Sequence, residues 1–296
     1  MDSSQIDQQK PGQVSAFAAA TLRGVGQIML QENALTGFLF LAGIFFGGVS
    51  MGIAAVIATV SGTLTAKSLG YDQDEIEQGH YGFSAALVGV ALLLFLKPVA
   101  IVWLLVVIGS AAATALQHFF IRRQIPVFTL PFVLVTWAIL LVAHFVYPSV
   151  LNEPANSPTG FDLAFALRGY GQVIFQGSAV AGVIFFAAVF INSPVAALYG
   201  LFAAVFAGLI SMAAGAPPDD VELGLFSYNA VLCAIAFAGK KLMDGIWVFI
   251  AVIFSIAISL AMAHYQFVQL TFPFVAASVI SLVLRHLIQT KYDYAE

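Results

Sequence analysis

The groups in this sequence best suited to chemistry are neutral hydrogen-bonding side chains that occur twice. Gln27, in Arg23-Gly24-Val25-Gly26-Gln27, returns 145 positions later as Gln172 in Arg168-Gly169-Tyr170-Gly171-Gln172. Thr129 and Thr271, each two residues before a proline, repeat at a shift of 142 within Thr-x-Pro-Phe. Amides and hydroxyls both donate and accept, so such pairs suit an uncharged polar solute. Proline removes one helical hydrogen bond and is expected to free the carbonyl four residues back, placing acceptors beside each threonine. Phe83 and Tyr228 form a third pair, within Gly79–Leu87 and its copy Gly224–Leu232. A two-fold axis would bring their rings face to face, a flat slot that admits a planar solute and excludes hydrated ions. The residues leave alternatives open: a threonine can back-bond to its own helix, and a glutamine can tie helix to helix.

The charged residues narrow the choice. The long apolar runs contain no Asp, Glu or Lys well away from their ends. Ion-coupled carriers and proton pumps typically need such groups at mid-membrane, so a neutral permeant and passive movement are expected. Arg23 and Arg168 are read as snorkelling, or pairing with backbone carbonyls near a broken helix. The five histidines show no metal-site spacing, and the single cysteine, Cys233, leaves no internal disulfide or multi-cysteine metal site. Ser-His-Asp order, paired carboxylates and a phosphate-cradling loop are not legible, so neither enzyme chemistry nor a cofactor is expected. A net charge of −4 implies no nucleic-acid partner.

These residues must be positioned by membrane helices. Hydrophobic residues make up 61% of the chain and charged ones 9%, against about 25% charged in soluble domains. The sequence therefore reads as an all-α polytopic membrane protein, bounded by lipid. Three matched blocks in the same order imply a duplication with pseudo-two-fold symmetry and a site where the copies meet. The halves are 1–150 and 151–296, joined by a polar, turn-rich stretch from Tyr147-Pro148 to Thr159-Gly160. The N-terminal Met1–Gly12 has no signal-peptide pattern, so the first apolar stretch is expected to stay in the mature protein.

Within the first half, Val14–Gln31 reads as a short first span. Ala34–Ala66 is uncharged throughout and, since a span needs ~20 residues, divides into two. Tyr81–Leu96 is too short to span comfortably, and its Gly/Ser content suits a re-entrant half-helix lining a cavity. Val99–Phe120 and Ile125–Tyr147 complete the half. Five spans plus one re-entrant piece per half would invert the second copy. With the N-terminus inside, Arg122-Arg123, Lys240-Lys241 and the Arg285–Lys291 tail fall on the cytoplasmic side, as the positive-inside rule asks. The linker with Glu153 and Asp162 falls outside. Lys67 and Lys97 also fall outside, against the rule.

The pattern resembles the urea transporter family along nearly the whole chain. The resemblance rests on Gln27–Gly37 with its copy Gln172–Gly182, on GHYGFSAALVG with its copy GLFSYNAVLCA, and on IPVFTLPF ending at Phe132. It implies two inverted halves of five spans plus a re-entrant helix, a homotrimer with one pore per protomer, and passive, channel-like passage of urea. A bacterial-type channel of an inner membrane, with both termini cytoplasmic, is the expected setting. The middle of the pore would be flanked by Thr129 and Thr271. One slot would pair Leu30 with Phe175, and the other would involve Phe83 and Tyr228, walled by Leu87 and Leu232. Gln27 and Gln172 would meet urea's amide hydrogens. The sequence departs from the pattern at Leu30 (an aromatic is expected), Gln172 (a carboxylate in some members), Ser84 (an asparagine) and Tyr228 (an added hydroxyl). Another small neutral solute, such as a short amide, ammonia or water, is the alternative permeant.

Overall fold

Gly48, extended at φ −178°, is the only residue between α2 (Ala34–Gly47) and α3 (Val49–Ser68), so the long apolar run divides into two helices. The computed structural model describes residues 13–152 and 164–293; Met1–Gly12 and most of the expected linker, Glu153 and Asp162 included, lie outside them. Before α2 come α1 (Gln13–Gly26) and a 3-10 turn at Gln27–Met29. After α3 come α4 (Gln73–Glu77), α5 (Phe83–Phe95), α6 (Ala100–Arg122) and α7 (Leu130–Val146). The same series follows again: α8 (Phe165–Gln172), α9 (Ala179–Asn192), α10 (Pro194–Ala213), α11 (Pro218–Glu222), α12 (Tyr228–Phe237), α13 (Leu242–His264) and α14 (Phe272–Asp293). Among the described residues the chain is helical without strands, and α3, α6, α10, α13 and α14 are long and apolar enough to cross a membrane.

The copies share unusual backbone as well as order. Each positive-φ residue has a counterpart: Leu30 at 59° with Phe175 at 58°, Gln124 at 54° with Gln266 at 56°, Phe128 at 47° with Leu270 at 44°. Gly70 and Gly215 pair likewise, as do Gly79 (85°) and Gly224 (78°). The last pair explains a motif. A Cβ on Gly79 would stand 2.4 Å from the Gly24 nitrogen, and one on Gly224 would stand 2.4 Å from the Gly169 nitrogen. Two backbones therefore cross at van der Waals distance in each half, which only glycine allows.

Two segments run differently from what their apolar lengths suggest. Arg122 pairs with Glu75 at 3.6 Å, and His118 stacks on Tyr71 at 3.5 Å, so the C-terminal ends of α3 and α6 lie at one end of the bundle. Tyr81 donates to Glu75 there, and burial together with that carboxylate holds its phenol far above the usual range. The other end is marked by Lys97, which donates from N to Val150 O at 2.8 Å and from Nζ to Ser149 O at 2.9 Å. Helix α5 runs from the first end to the second, antiparallel to α6, and does not turn back. It is short because protein surrounds it: every residue from Phe83 to Leu93 is buried, so its length need not match a bilayer. Helix α1, expected to span, stays at the Arg122 end. Phe17 and Ala20 share a cavity with Lys67 and Glu77, Arg23 donates to Glu77 O at 3.0 Å, and Gln27 donates to Gln78 O at 3.0 Å. The chain then bends by 74° into α2.

The halves join through α2 and α9, which lie antiparallel. Asn33 bonds Asn192 at 3.1 Å, Thr36 donates to Ala188 O at 3.0 Å, and the Phe40 and Phe185 rings meet edge-on at 5.3 Å. Phe40 and Phe185 stand 145 positions apart, at equivalent places in the repeated sequence.

Candidate functional site

A second pair of equivalent residues also meets. Between α6 and α7, and again between α13 and α14, the chain leaves the helix for seven residues, 123–129 and 265–271. The first limb starts beside Arg122. The second starts at the opposite end, where a cavity of about 850 Å3 joins Gln266 and Phe267 to His144 and Asn152. The limbs converge until Thr129 Oγ1 and Thr271 Oγ1 stand 2.6 Å apart, one hydroxyl donating to the other. Both threonines are buried, and Trp137 Nε1 ties the second limb to α7 by donating to Val268 O at 2.8 Å. The threonines thus bond each other and not their own helices.

The prolines do not act as expected. Pro131 is the second residue of α7 and Pro273 the second of α14, where a missing N–H costs nothing. The carbonyls four residues back are occupied: Leu130 donates to Val127 O at 2.8 Å and Phe272 to Gln269 O at 3.1 Å.

The aromatic pair is also rearranged. Phe83 and Tyr228 make no ring contact among the described residues. The Tyr228 hydroxyl donates to Leu270 O at 2.5 Å, and Asn229 Nδ2 donates to the same carbonyl at 3.2 Å. Asn229 Oδ1 in turn accepts from Phe274 N at 3.2 Å, so the second limb is clamped where it enters α14. In the first half Phe83 has no hydroxyl, and Ser84 Oγ donates to Gln117 Oε1 at 3.4 Å. Leu87 and Leu232, one turn further on, are fully buried in α5 and α12.

Leu30 and Phe175 hold equivalent left-handed positions, but their surroundings differ. Leu30 is 39% exposed. The Phe175 ring meets Phe95 edge-on at 6.4 Å and 74°, and Phe132 at 6.0 Å and 61°. Phe95 had no signal in the sequence, since Lys240 stands at its repeat position, whereas Phe132 was quoted only as the end of a motif. Gln172 makes no side-chain hydrogen bond among the described residues, unlike Gln27. Gln31 and Gln176, also 145 apart, were missed. They are buried and donate to Met29 O at 2.8 Å and Ile174 O at 3.0 Å, fixing the turns that carry Leu30 and Phe175. Arg168 donates to Glu222 O at 3.3 Å and pairs with Glu222 Oε1 at 3.6 Å, so both arginines do bind carbonyls at the end of a short helix.

Known proteins carry the same pattern. The family described as urea transporter matches residues 18–286, a family of transporters, not enzymes. Rat urea transporter 1 is 29% identical over 245 residues, which is 76% of this chain and 64% of the rat protein. Sheep urea transporter 1 is 28% identical over 300 residues, covering 92% of this chain and 78% of its own. The matched stretch is thus under two thirds of the rat protein's length. With residues 18–286 matched, the chain belongs to the urea transporter family.

Proposed function

We propose that this chain passes urea through the membrane passively, along a path that runs beside the Thr129–Thr271 junction. The observation that carries the reading is that junction itself. Non-helical backbone at membrane depth is tolerated only where protein buries it or where it lines a path, and two such limbs enter from opposite ends to meet at hydroxyls 2.6 Å apart. Hydroxyls and carbonyls that both halves bring to one place suit a small neutral amide. Leu87 and Leu232 supply apolar walls, Leu30 and Phe175 one mouth, Phe83 and Tyr228 the other, and Gln27 and Gln172 amides near the mouths.

The antiparallel contact of α2 with α9 supports inverted halves, divided near residue 150. With α1 and α8 as the re-entrant pieces, five crossings remain per half. Lys67, Arg122, Arg123, Lys240, Lys241 and Arg285 then share one side with Arg23, which the positive-inside rule makes cytoplasmic, while Lys97 and Arg168 lie toward the other. Lys67, an exception before, joins the rule. Both terminal stretches fall on the cytoplasmic side of a bacterial inner membrane, and three lipid-embedded copies, each with its own pore, form the working unit.

Stopped-flow light scattering on proteoliposomes, with urea, acetamide and water compared, tests this. Urea flux well above that of protein-free vesicles is expected. A chain that conducts only water, or nothing, overturns the reading.

A further inference from the structure

Gln31 and Gln176 each close a turn that folds back on a glycine of the repeated motif. Gln31 N donates to Gly26 O at 3.1 Å, and Gln176 N donates to Gly171 O at 2.9 Å. Each side-chain amide also donates within its own turn, to Met29 O and to Ile174 O. What remains of each carboxamide meets the opposite half. Gln31 Oε1 accepts from Asn192 Nδ2 at 2.8 Å, and Asn192 is the last residue of α9. Gln176 lies against Gly47, the last residue of α2: a Cβ on Gly47 would stand 1.6 Å from Gln176 Oε1 and 2.8 Å from its Cδ. Gln176 Nε2 also donates to Met51 Sδ on α3 at 3.5 Å. Asn192 and Gly47 are themselves 145 positions apart. The two braces are therefore one device written twice, once with an asparagine and once with a glycine that lets the amide rest on the helix end.

From this we infer that Gln176 is the positioning residue for Phe175, and that the end of α2, in the opposite half, sets how far the Phe175 ring closes its mouth. Phe175 holds φ 58°, a conformation that a residue with a side chain keeps only where its surroundings over-determine it. The amide of the next residue supplies that constraint, tied to the turn by Ile174 O and to the other half by Met51 and Gly47. Gln176 is 3% exposed and acts through Phe175. The inference rests on the reading of the chain as a urea path and adds what fixes the width of one mouth.

The test enlarges Gly47 in the full-length chain. The three atoms nearest to a Cβ at Gly47 all belong to the Gln176 side chain, and alanine favours the helix it would join, so Gly47→Ala displaces the brace from a distance. Gln176→Met keeps the side-chain volume and removes the amide. Proteoliposome flux of dimethylurea relative to urea is measured for the parent, for Gly47→Ala, Gln176→Met and Phe175→Ala, and for Phe175→Ala combined with Gln176→Met. Gly47→Ala and Gln176→Met are each expected to raise that ratio about fivefold, the value of one net hydrogen bond. In the Phe175→Ala background Gln176→Met should add nothing, because a residue that acts through another is not additive with it. If both single variants assemble normally by size exclusion and keep the parent's ratio, Gln176 serves only the fold and the inference fails. A further rise in the double variant overturns it as well, since Gln176 would then meet the solute itself. Should Gly47→Ala fail to assemble, Gln176→Met and its double variant decide alone. A parent chain without urea flux would instead sink the transport reading, so the two failures are distinguishable.

Discussion

Thr129 and Thr271, 142 residues apart in sequence, place their hydroxyl oxygens 2.6 Å from each other. One hydroxyl donates, so the other keeps its proton for a solute, and both keep lone pairs. The pair therefore acts as one unit. Thr129→Val, Thr271→Val and the double variant should each cut urea flux by a similar factor, about fivefold for one net hydrogen bond. Neighbouring residues in one network are not additive, and stopped-flow flux with size-exclusion as an assembly control checks this. Additive losses would mean that each threonine meets the solute separately.

The crossing of Gly79 over Gly24, and of Gly224 over Gly169, separates steric contact from backbone strain. Gly79→Ala combines a positive φ with a Cβ 2.4 Å from a backbone nitrogen, and should cost about 3 kcal/mol or abolish folding. Gly70→Ala has the positive φ but nothing within 4 Å, and should cost about 1 kcal/mol. Thermal unfolding in detergent ranks the two; equal losses would remove the crossing from the account.

Arg23 and Arg168 are equivalent but not equally dependent on their neighbours. Glu222 faces Arg168 with side-chain exposures of 5% and 12%, so Glu222→Ala removes a buried charged contact and should cost about 1.5–3 kcal/mol. Glu77 is exposed and serves Arg23 only through its carbonyl. Glu77→Ala should therefore change stability by less than about 0.5 kcal/mol. Urea or heat denaturation of the two variants in detergent measures the difference.

Phe175 is held by Phe95 and Phe132, whereas Leu30 brings no ring to its mouth. Phe175→Ala should widen that mouth and admit larger amides, read from competition among urea, thiourea and dimethylurea. Leu30→Phe should tighten urea binding by about 0.5–1.5 kcal/mol, the worth of an aromatic pair. An unchanged size cut-off in Phe175→Ala would take Phe175 out of the path.

Passive movement has its own signature. A permeating charge would feel about 2.3 kcal/mol per 100 mV, so urea flux should be indifferent to an imposed potassium-diffusion potential and to sodium or proton gradients. A several-fold change in initial rate under either gradient would require a coupled ion.

Much of this was legible because duplication writes each feature twice. The Thr-x-Pro-Phe repeat located the two residues that meet, and the long uncharged run implied the two helices that part at Gly48. How α1 and α5 run was not legible, because the sequence reading took apolar length to report bilayer crossing. For α5 it does not, since protein encloses the helix on every side. The prolines were misread because sequence does not say whether a proline lies within a helix or opens one. Phe95 was invisible because its contact with Phe175 joins the two halves, and no local spacing encodes that.

The contacts between the halves also set an order of events during synthesis. Thr129 meets a partner 142 residues downstream, and Thr36 bonds a carbonyl 152 residues away. When the first half emerges from the ribosome, its limb and the Phe40 face have nothing to close against. Hydrocarbon does not tolerate open backbone polar groups, so that limb must stay hydrated, or held by insertion machinery, until α14 arrives. Helix α14 is thus the one that seals the centre, and a nascent chain cut short before Thr271 leaves a half-built, water-exposed core for quality control to find.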